Sequence, residues 1–424
     1  NNRHILYFQD MGGDENWRLY CVDLETDAVR DLTPFDNVQT YLNRASKYLP
    51  NEITIGMNKD NPKLHDIYRV NLMTGELKLI AKNPGTVLYW VADANLNVLA
   101  AKAATSDGGA DLLLRDHETA EWRKLIHWDL DDVHSSPICF SKDREQLYLY
   151  DSRNANTLRL VKLTIRTGEL EVIVEDSQYD ATDVIIHPDT YNIQAVAFTK
   201  SRKEWTVIDE QIKEDFSRIK MHERGDFEVM NRDHADRFWI VLFVNDNASY
   251  SYHIYDRNTK SFTFLFFNKP ELRRYMLSEM EPISFTARDG LLIHGYIVFP
   301  PEKERRNLPM VLNVHGGPWT RRAWGFDQES QWLANRGYLC LIVNYRGSTG
   351  YGKKFVNAGN REWGGKMHDD LVDAVNWAVS KGFVDPTRVA IYGGSYGGYA
   401  SLVGATFTPD LFKCAVDLVG VSNL

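Results

Sequence analysis

The chain has 424 residues, 43% of them hydrophobic and 25% charged, which is typical of a globular protein of two domains and excludes a disordered chain. Its formal net charge of −9 argues against nucleic acid or an anionic membrane as the main partner, because both require a basic surface. No apolar run approaches the ~18 residues of a membrane span, and the four cysteines form no C-x-x-C pair, so we expect a cytoplasmic protein with reduced, buried thiols.

The first two thirds of the chain repeat a short pattern at intervals of 45 to 48 residues. In five copies a Thr stands three residues after an Asp, Asn or Thr, and apolar residues follow that Thr at the third and sixth positions. A degenerate copy with Glu and Lys fills the one gap in the series. The copies begin at Asp23, Asn71, Asp116, Thr164, Glu210 and Asp256. This spacing indicates one structural unit repeated six times.

Each copy predicts an antiparallel hairpin, since apolar and polar residues alternate before it and its short polar side chain favours a tight turn. Gly75 and Gly168 supply the positive φ that such a turn needs. Units of this length, mostly strand, predict blades of a β-propeller at 1–275, and the two-residue period excludes helical repeats. The chain opens at Asn1 without a methionine or a signal-peptide pattern, so we expect the natural start, and a further blade, upstream.

From residue 276 strands alternate with helices, and this order predicts a mostly parallel sheet covered on both faces. The predicted elements are a hairpin turning at Asp289-Gly290, a buried strand at 310–314, a helix ending at Arg336-Gly337, a strand at 338–344, a helix at 368–382 and a strand at 388–392. Residues 276–424 are therefore interpreted as a second, α/β domain.

The last of these strands leads into GGSYG, residues 393–397, which matches the G-x-S-x-G pattern. Between a strand and a helix, this pattern is typical of a nucleophile elbow that exposes Ser395. The turn is so sharp that Gly393 and Gly397 are needed two residues before and after the serine. A phosphate-binding loop is disfavoured, because the Walker lysine and the G-x-G-x-x-G spacing are missing. A structural glycine turn and an unreactive elbow remain the alternatives.

A second motif, HGGP at residues 315–318, follows the first buried strand of this region, where an α/β-hydrolase supplies half of its oxyanion hole. Pro318 has no N–H, so the backbone N–H groups of Gly317 and Tyr396 are the predicted oxyanion donors. The two motifs together predict a serine hydrolase. Ser395 would attack a carbonyl carbon and form an acyl-enzyme that water hydrolyses, with no metal or organic cofactor.

At these motifs the chain resembles the prolyl oligopeptidase family of serine peptidases and, within it, the acylaminoacyl-peptidase branch. The resemblance rests on VHGGPW, NYRGSTGYG, WGGKMHDD, DPTRVAIYGGSYGGYA and FTPDLFKCAVDLVGVSNL, with GGDENWRLYCVDLETDAVRDLTPF near the start. It implies a seven-bladed propeller that covers the hydrolase domain, so that only short peptides or N-acylaminoacyl peptides reach Ser395. It also implies that His315 replaces a tyrosine of the other branches. Asp14-Glu15 is interpreted as a solvated turn, not as the paired glutamates of dipeptidyl peptidases.

The chain order of a triad in this fold is serine, acid, histidine, yet no histidine follows Ser395. His368 precedes the elbow and is predicted to serve helix entry or packing. Asp410 and Asp417 follow the serine too closely to be the triad acid. We therefore expect the acid and the histidine beyond Leu424, the hydrolase domain to lack its C-terminal part, and these 424 residues alone to be inactive.

Two other functions remain open from the sequence. One is a carboxylesterase that uses the same site, and the other is a propeller that serves as a binding scaffold beside an inactive hydrolase domain. Whether the protein forms a homo-oligomer is also open.

Overall fold

The structure is a computed structural model that describes residues 1–132 and 134–423. The chain divides into two compact units. The first comprises residues 1–154, 158–174 and 187–192, and the second comprises residues 155–157, 175–186 and everything from residue 193 onward. Within the described residues, no helix has the length and apolar character needed to cross a membrane.

The first unit consists, in its described residues, of four antiparallel sheets in which each strand pairs with the next one along the chain. The first sheet contains β1 (His4–Gln9), β2 (Arg18–Asp23) and β3 (Val29–Asp31). The second contains β4 (Thr40–Ala45), β5 (Glu52–Asn61), β6 (Leu64–Asn71) and β7 (Leu77–Ala81). The third sheet contains β8 (Val87–Ala92), β9 (Val98–Ala104), β10 (Ala110–Leu114) and β11 (Arg123–Trp128). The fourth contains β12 (Ser136–Phe140), β13 (Gln146–Asp151), β14 (Arg159–Thr164) and β15 (Leu170–Val174).

The predicted turns are confirmed at Asp23, Asn71 and Asp256, whose side chains accept hydrogen bonds from nearby backbone N–H groups. The Asn71 side chain accepts hydrogen bonds from the backbone N–H groups of Met73 and Thr74 at 2.9 and 3.0 Å, which fixes the turn between β6 and β7. Gly75 and Gly168 have φ values of +78° and +73°. Short polar side chains and glycine therefore set the hairpins, as the sequence predicts.

The second unit begins with two further antiparallel sheets. They contain β16 (Ala181–Ile186), β17 (Ile193–Thr199) and β18 (Lys203–Val207), then α1 (Lys213–His222), and then β19 (Asp226–Arg232), β20 (Phe238–Val244), β21 (Ser251–Asp256) and β22 (Ser261–Phe267). The described residues thus form six blade-like sheets, and the predicted β-propeller is confirmed. A seventh blade stays a prediction.

The fifth copy of the repeat is not a hairpin, so that prediction is wrong. Residues Glu210–Ile212 form a 3-10 turn, and α1 takes the place of the expected strand. The two apolar positions of this copy, Phe216 and Ile219, are buried. Because they are three residues apart they share one face of a helix, and the same spacing therefore fits a helix as well as a strand.

The remaining sheet of the second unit has six strands among the described residues, in the order β23, β24, β26, β25, β27, β28. These are β23 (Met280–Thr286), β24 (Leu292–Val298), β25 (Leu308–Val314), β26 (Leu339–Asn344), β27 (Val384–Gly394) and β28 (Cys414–Leu418). The helices are α2 (Gln328–Asn335), α3 (Lys353–Asn357), α4 (Lys366–Ser380) and α5 (Tyr396–Phe407). β25 pairs in parallel with β26 and with β27, and β27 pairs in parallel with β28. β24 pairs antiparallel with β23 and with β26. The three parallel pairings confirm a mostly parallel sheet.

The core of this sheet lies on both of its faces. β25 and β26 are buried along almost their whole length, as strands covered on two sides must be. Leu341 and Val343 belong to the cluster that includes Leu371 of α4, whereas Ile342 belongs to the cluster that includes Leu333 of α2. This packing brings the carboxyl ends of β25 and β27 together, and the predicted site residues follow both strands.

The prediction that all four cysteines are buried is wrong for Cys414, which is exposed. Cys414 begins β28, the outermost strand of the sheet in the described residues, and every residue of that strand is exposed. Cys21, Cys139 and Cys340 are buried and free, as predicted. The domain boundary between residues 275 and 276 stays a prediction, because the second compact unit contains β16 to β22 as well as the six-stranded sheet.

Candidate active site

Ser395 is exposed at the junction of β27 and α5, with φ 56° and ψ −120°. A residue with a side chain rarely adopts a positive φ, so this backbone is strained. The N–H of Ser395 donates to the carbonyl of Leu418 in β28 at 2.9 Å, and its own carbonyl accepts from the N–H of Tyr399 at 3.0 Å. A strand and a helix therefore hold the turn from both sides.

The two glycines of the motif are required by close backbone contacts. A Cβ at Gly393 would lie 2.5 Å from the carbonyl carbon of Gly397. A Cβ at Gly397 would overlap the carbonyl oxygen of Val314 at the end of β25. Any larger residue at either position would push the turn away from its neighbouring strand, which agrees with the sequence prediction.

The loop that follows β25 packs against the serine. Val314 is paired with Gly393 across the parallel strands, so the 315–318 loop and the elbow leave the sheet at the same edge. A Cβ at Gly316 would lie 3.3 Å from Cβ and 3.9 Å from Oγ of Ser395. Within the described part of the chain, neither the N–H of Gly317 nor that of Tyr396 donates to a protein acceptor. The role of these two groups as oxyanion donors stays a prediction.

His315 supports this loop and does not face solvent. It is 2% exposed, its Nδ1 lies 2.7 Å from the carbonyl of Gly316, and its Nε2 lies 3.1 Å from Oγ of Ser348. Burial lowers the pKa of His315 to about 4. At neutral pH the ring is therefore uncharged and held between two partners, so it orients the loop.

Tyr345 joins the two predicted motifs, and the sequence interpretation did not single it out. Its ring stacks on His315 at 4.4 Å and on Tyr396 at 5.3 Å between centroids. Its hydroxyl donates to the carbonyl of His315 at 2.8 Å. The signal that could have found it is its place directly after β26, inside the NYRGSTGYG segment.

Arg346, the next residue, anchors the same segment through buried charges. Its Nη2 lies 2.7 Å from Oδ1 of Asp370 in α4, and its Nη1 lies 2.8 Å from Oδ2 of Asp289 in the turn between β23 and β24. The hydrogen bond from Arg346 lowers the pKa of Asp289 to about 2. Burial raises the pKa of Asp370, and the guanidinium of Arg346 opposes this effect only in part. Three elements are thus fixed at one point below the site.

Of the other residues considered in the sequence analysis, none hydrogen-bonds to Oγ of Ser395. His368 is buried in the first turn of α4, where its Nε2 lies 3.0 Å from Oγ1 of Thr408 and burial lowers its pKa. Oδ1 of Asp417 accepts from the N–H of Gly420 at 2.8 Å, and Asp410 is exposed in a turn after α5. Across residues 1–132 and 134–423, no side chain hydrogen-bonds to Oγ of Ser395.

Asp14 and Glu15 form a local turn in the first unit. Oδ1 of Asp14 accepts from the N–H groups of Met11 and Asn16 at 3.1 and 3.0 Å, and both acidic residues are exposed. The interpretation of this pair as a solvated turn is therefore confirmed.

The known proteins to which this chain is similar are described as peptidases or acylamino-acid-releasing enzymes. The profile of the prolyl oligopeptidase family matches residues 324–424. Dipeptidyl aminopeptidase BIII of Pseudoxanthomonas mexicana is 42% identical over 99% of this chain and 62% of its own length. Dipeptidyl peptidase family member 6 of Caenorhabditis elegans is 33% identical over 99% of this chain and 62% of its own length. Acylamino-acid-releasing enzyme 1 of Oryza sativa subsp. japonica is 31% identical over 34% of this chain and 19% of its own length.

Solved structures with low sequence identity share the fold. A puromycin-hydrolyzing peptidase of Mycobacterium tuberculosis superposes with a TM-score of 0.74 at 19% identity, covering 100% of this chain and 70% of that one. The acylaminoacyl peptidase of Pyrococcus horikoshii superposes with a TM-score of 0.64 at 17% identity, covering 99% and 68%. This chain spans about 62% of the length of the two curated relatives that match nearly all of it.

Proposed function

We propose that the chain belongs to the prolyl oligopeptidase family, whose profile matches residues 324–424, and that the whole protein is a serine peptidase that cleaves short peptides through an acyl-enzyme on Ser395. The observation that carries this proposal is the exposed Ser395 on a strained turn, packed against the 315–318 loop, with the N–H groups of Gly317 and Tyr396 making no hydrogen bond to the described residues. A free hydroxyl beside two free amides is the arrangement that acyl transfer requires.

In the proposed reaction Oγ of Ser395 attacks the carbonyl carbon of the scissile peptide bond as its proton passes to a base. The negative charge that develops on the carbonyl oxygen accepts hydrogen bonds from the N–H groups of Gly317 and Tyr396. Each such donor typically stabilises the transition state by ~3 kcal/mol. The carbon–nitrogen bond then breaks, the protonated amine leaves, and water hydrolyses the ester on Ser395.

The base is proposed to be a histidine outside these 424 residues, oriented by a carboxylic acid that also lies outside them. Two observations support this. His315 and His368 are buried, and each already bonds to another partner. Asp417 is engaged by the backbone of Gly420. The relatives that match nearly all of the chain have the length to supply both groups, since this chain spans about 62% of them.

For the substrate we propose short peptides with a free N-terminus, from which a dipeptide is released. The support comes from the names of the two relatives that match 99% of this chain, both of which are described as dipeptidyl peptidases. N-acylaminoacyl peptides are the second candidate. This candidate is supported by the implied replacement of a tyrosine by His315 and by the local turn in which Asp14 accepts hydrogen bonds from the N–H groups of Met11 and Asn16.

The proposed reaction is tested on full-length protein with a fluorophosphonate probe, which labels an activated serine. Labelling that disappears in the Ser395→Ala variant supports the proposal. Full-length protein that never labels would support a binding scaffold with an inactive hydrolase domain. The substrate is tested by comparing the hydrolysis of a dipeptidyl anilide, its N-acetylated form and a simple aryl ester. Turnover of the ester alone would contradict the peptidase and favour a carboxylesterase.

A further inference from the structure

Three side chains that can bind a metal ion lie together in the second unit, apart from the residues discussed so far. His222 is the last residue of α1, Glu223 is the residue after it, and His253 lies in the middle of β21. One donor atom from each of the three lies within 4.8 Å of the donor atoms of the other two. Two imidazoles and one carboxylate are a common ligand set for a first-row divalent metal ion.

The distances suit such an ion. Nε2 of His253 lies 3.3 Å from Oε1 of Glu223. In a tetrahedral zinc site with bonds of about 2.05 Å, two ligand atoms are roughly 3.3 Å apart, so these two residues already have the required separation. His222 is exposed at the end of its helix, and its donor nitrogen lies within 4.8 Å of the donor atoms of Glu223 and His253.

Neighbouring side chains hold the ligands in place. Oε2 of Glu223 accepts a hydrogen bond from Oγ of Ser251 at 2.6 Å, which leaves Oε1 directed at His253. The ring of His222 stacks on Phe262 at 3.7 Å with an interplanar angle of 9°. Hydrogen bonds to a ligating carboxylate and an apolar surround are typical of metal sites, because they orient the ligands and limit water access.

The imidazole nitrogens are available. His253 is 4% exposed, and its Nδ1 is buried without a hydrogen-bond partner. Among the described residues, no protein group hydrogen-bonds to either ring nitrogen of His222. Burial lowers the pKa of both histidines, so each ring is neutral at pH 7 and offers a lone pair.

The electrostatic surroundings do not repel a cation. A cavity of about 540 Å³ that opens beside His222 is lined in part by Arg218 and Lys260. Nε of Arg218 lies 2.8 Å from Oε1 of Glu214, and Lys260 is paired with Asp215, so neighbouring carboxylates neutralise both positive charges. Glu223 adds a carboxylate to the cluster, and His222, one of the three proposed ligands, lines the cavity.

We propose that His222, Glu223 and His253 bind one Zn²⁺ ion, with water as the fourth ligand. The ion would connect the end of α1 to β21. It would therefore clamp the helix that replaces the expected strand onto the following sheet. This proposal does not depend on Ser395, and its test does not use peptidase activity.

The site is tested by titrating the metal-free 424-residue protein with zinc chloride in a calorimeter and by following thermal unfolding. We expect one equivalent of Zn²⁺ to bind and the unfolding temperature to rise with zinc concentration. Co²⁺ should compete for the site and give the strong visible absorption of a tetrahedral complex. Absence of binding, or a Co²⁺ spectrum typical of six oxygen ligands, would overturn the proposal.

Matched variants identify the ligands. His222→Ala and Glu223→Gln should each weaken zinc binding at least ~10-fold. Mutation of residues that only hydrogen-bond to metal ligands already costs about 10-fold in affinity, and loss of a ligand itself should cost no less. Glu223→Gln keeps the size of the side chain, so it tests the site even if the histidine variant folds poorly. His117→Ala, which removes an exposed histidine from the first unit, should leave binding unchanged. Equal affinity in all three variants would show that Zn²⁺ binds elsewhere, for example at Cys414.

Discussion

The turn at Ser395 leaves very different amounts of space at its three glycines. Gly393 and Gly397 contact backbone atoms so closely that a methyl group cannot be accommodated. Gly394, between Gly393 and the serine, is different, because a Cβ there would have its nearest neighbour, the carbonyl oxygen of Leu418, at 3.8 Å. The G-x-S-x-G pattern thus reflects local sterics, with glycine obligatory at the outer positions and optional at the inner one.

We therefore expect Gly393→Ala to lower the free energy of unfolding by ~3 kcal/mol or more, because the added Cβ meets a backbone carbonyl that cannot move aside. Gly394→Ala is the matched control and should change it by less than ~0.5 kcal/mol. Urea denaturation followed by circular dichroism measures both. Similar losses for the two variants would contradict the steric explanation.

His315 gives a pH-dependent contribution to stability. Its pKa is lowered from 6.5 to about 4 in the folded protein by burial. The unfolded chain therefore takes up a proton below about pH 6.5 that the folded chain refuses, and stability is lost as the pH falls from 6.5 toward 4. Over this pH range we expect the free energy of unfolding of the His315→Gln variant to fall by up to ~3 kcal/mol less than that of the wild type. Parallel stability curves for the two proteins would argue against a neutral, buried His315.

Individual elements are joined below the site by the buried guanidinium of Arg346, which connects the segment after β26 to α4 and to the turn between β23 and β24. Both partners are carboxylates, and Asp370 is fully buried. Removing one member of such a group leaves a buried charge without compensation, which is more costly than the loss of an exposed ion pair.

Arg346→Gln should accordingly lower the free energy of unfolding by about 3 to 5 kcal/mol. Arg388→Gln is a suitable control. Its ion pair with Asp385 joins residues of the same strand at 2.7 Å, but the Arg388 side chain is 52% exposed, so a loss below ~1 kcal/mol is expected. Chemical denaturation of both variants decides the point, and a small loss for Arg346→Gln would show that water reaches Asp370.

Helix α1 is held by its apolar face, and this predicts a second contrast. Phe216 is buried against Trp205, with ring centroids 5.8 Å apart, whereas Met221 on the same helix is 85% exposed. Phe216→Ala should therefore lower the free energy of unfolding by about 3 to 5 kcal/mol, and Met221→Ala by less than ~0.5 kcal/mol. Thermal and urea unfolding measure both. A larger loss of stability in Met221→Ala than in Phe216→Ala would contradict this orientation of α1, because it would mean that Met221 faces the core.

Considered as a whole, the molecule could be predicted from its sequence wherever the determining interactions are local. The turn glycines, the strand alternation and the G-x-S-x-G pattern between a strand and a helix can be recognised from residues a few positions apart, and the propeller and hydrolase folds followed from them. Tyr345 and Arg346 were missed because their roles depend on partners brought near by the sheet. The cluster of His222, Glu223 and His253 was missed for the same reason, since its members lie on a helix and on a strand separated in sequence.

The whole protein should also differ from these 424 residues in reactivity. No described side chain hydrogen-bonds to Oγ of Ser395, and the proposed function places the base that accepts the hydroxyl proton outside these residues. We expect it to remain unlabelled by a fluorophosphonate under conditions in which full-length protein is labelled at Ser395. Mass spectrometry of the labelled peptide provides the measurement, and equal labelling of both proteins would mean that a base within these residues reaches the serine.

The neutral state of His315 has a further consequence for enzyme kinetics. Because this imidazole stays unprotonated down to about pH 4, the loop that carries Gly317 keeps its shape throughout mild acid. A decline in kcat/KM between pH 7 and 5 would then report the titration of the general base alone. The acidic limb of the rate profile would then measure the pKa of the proposed histidine base, without a contribution from the buried imidazole of His315.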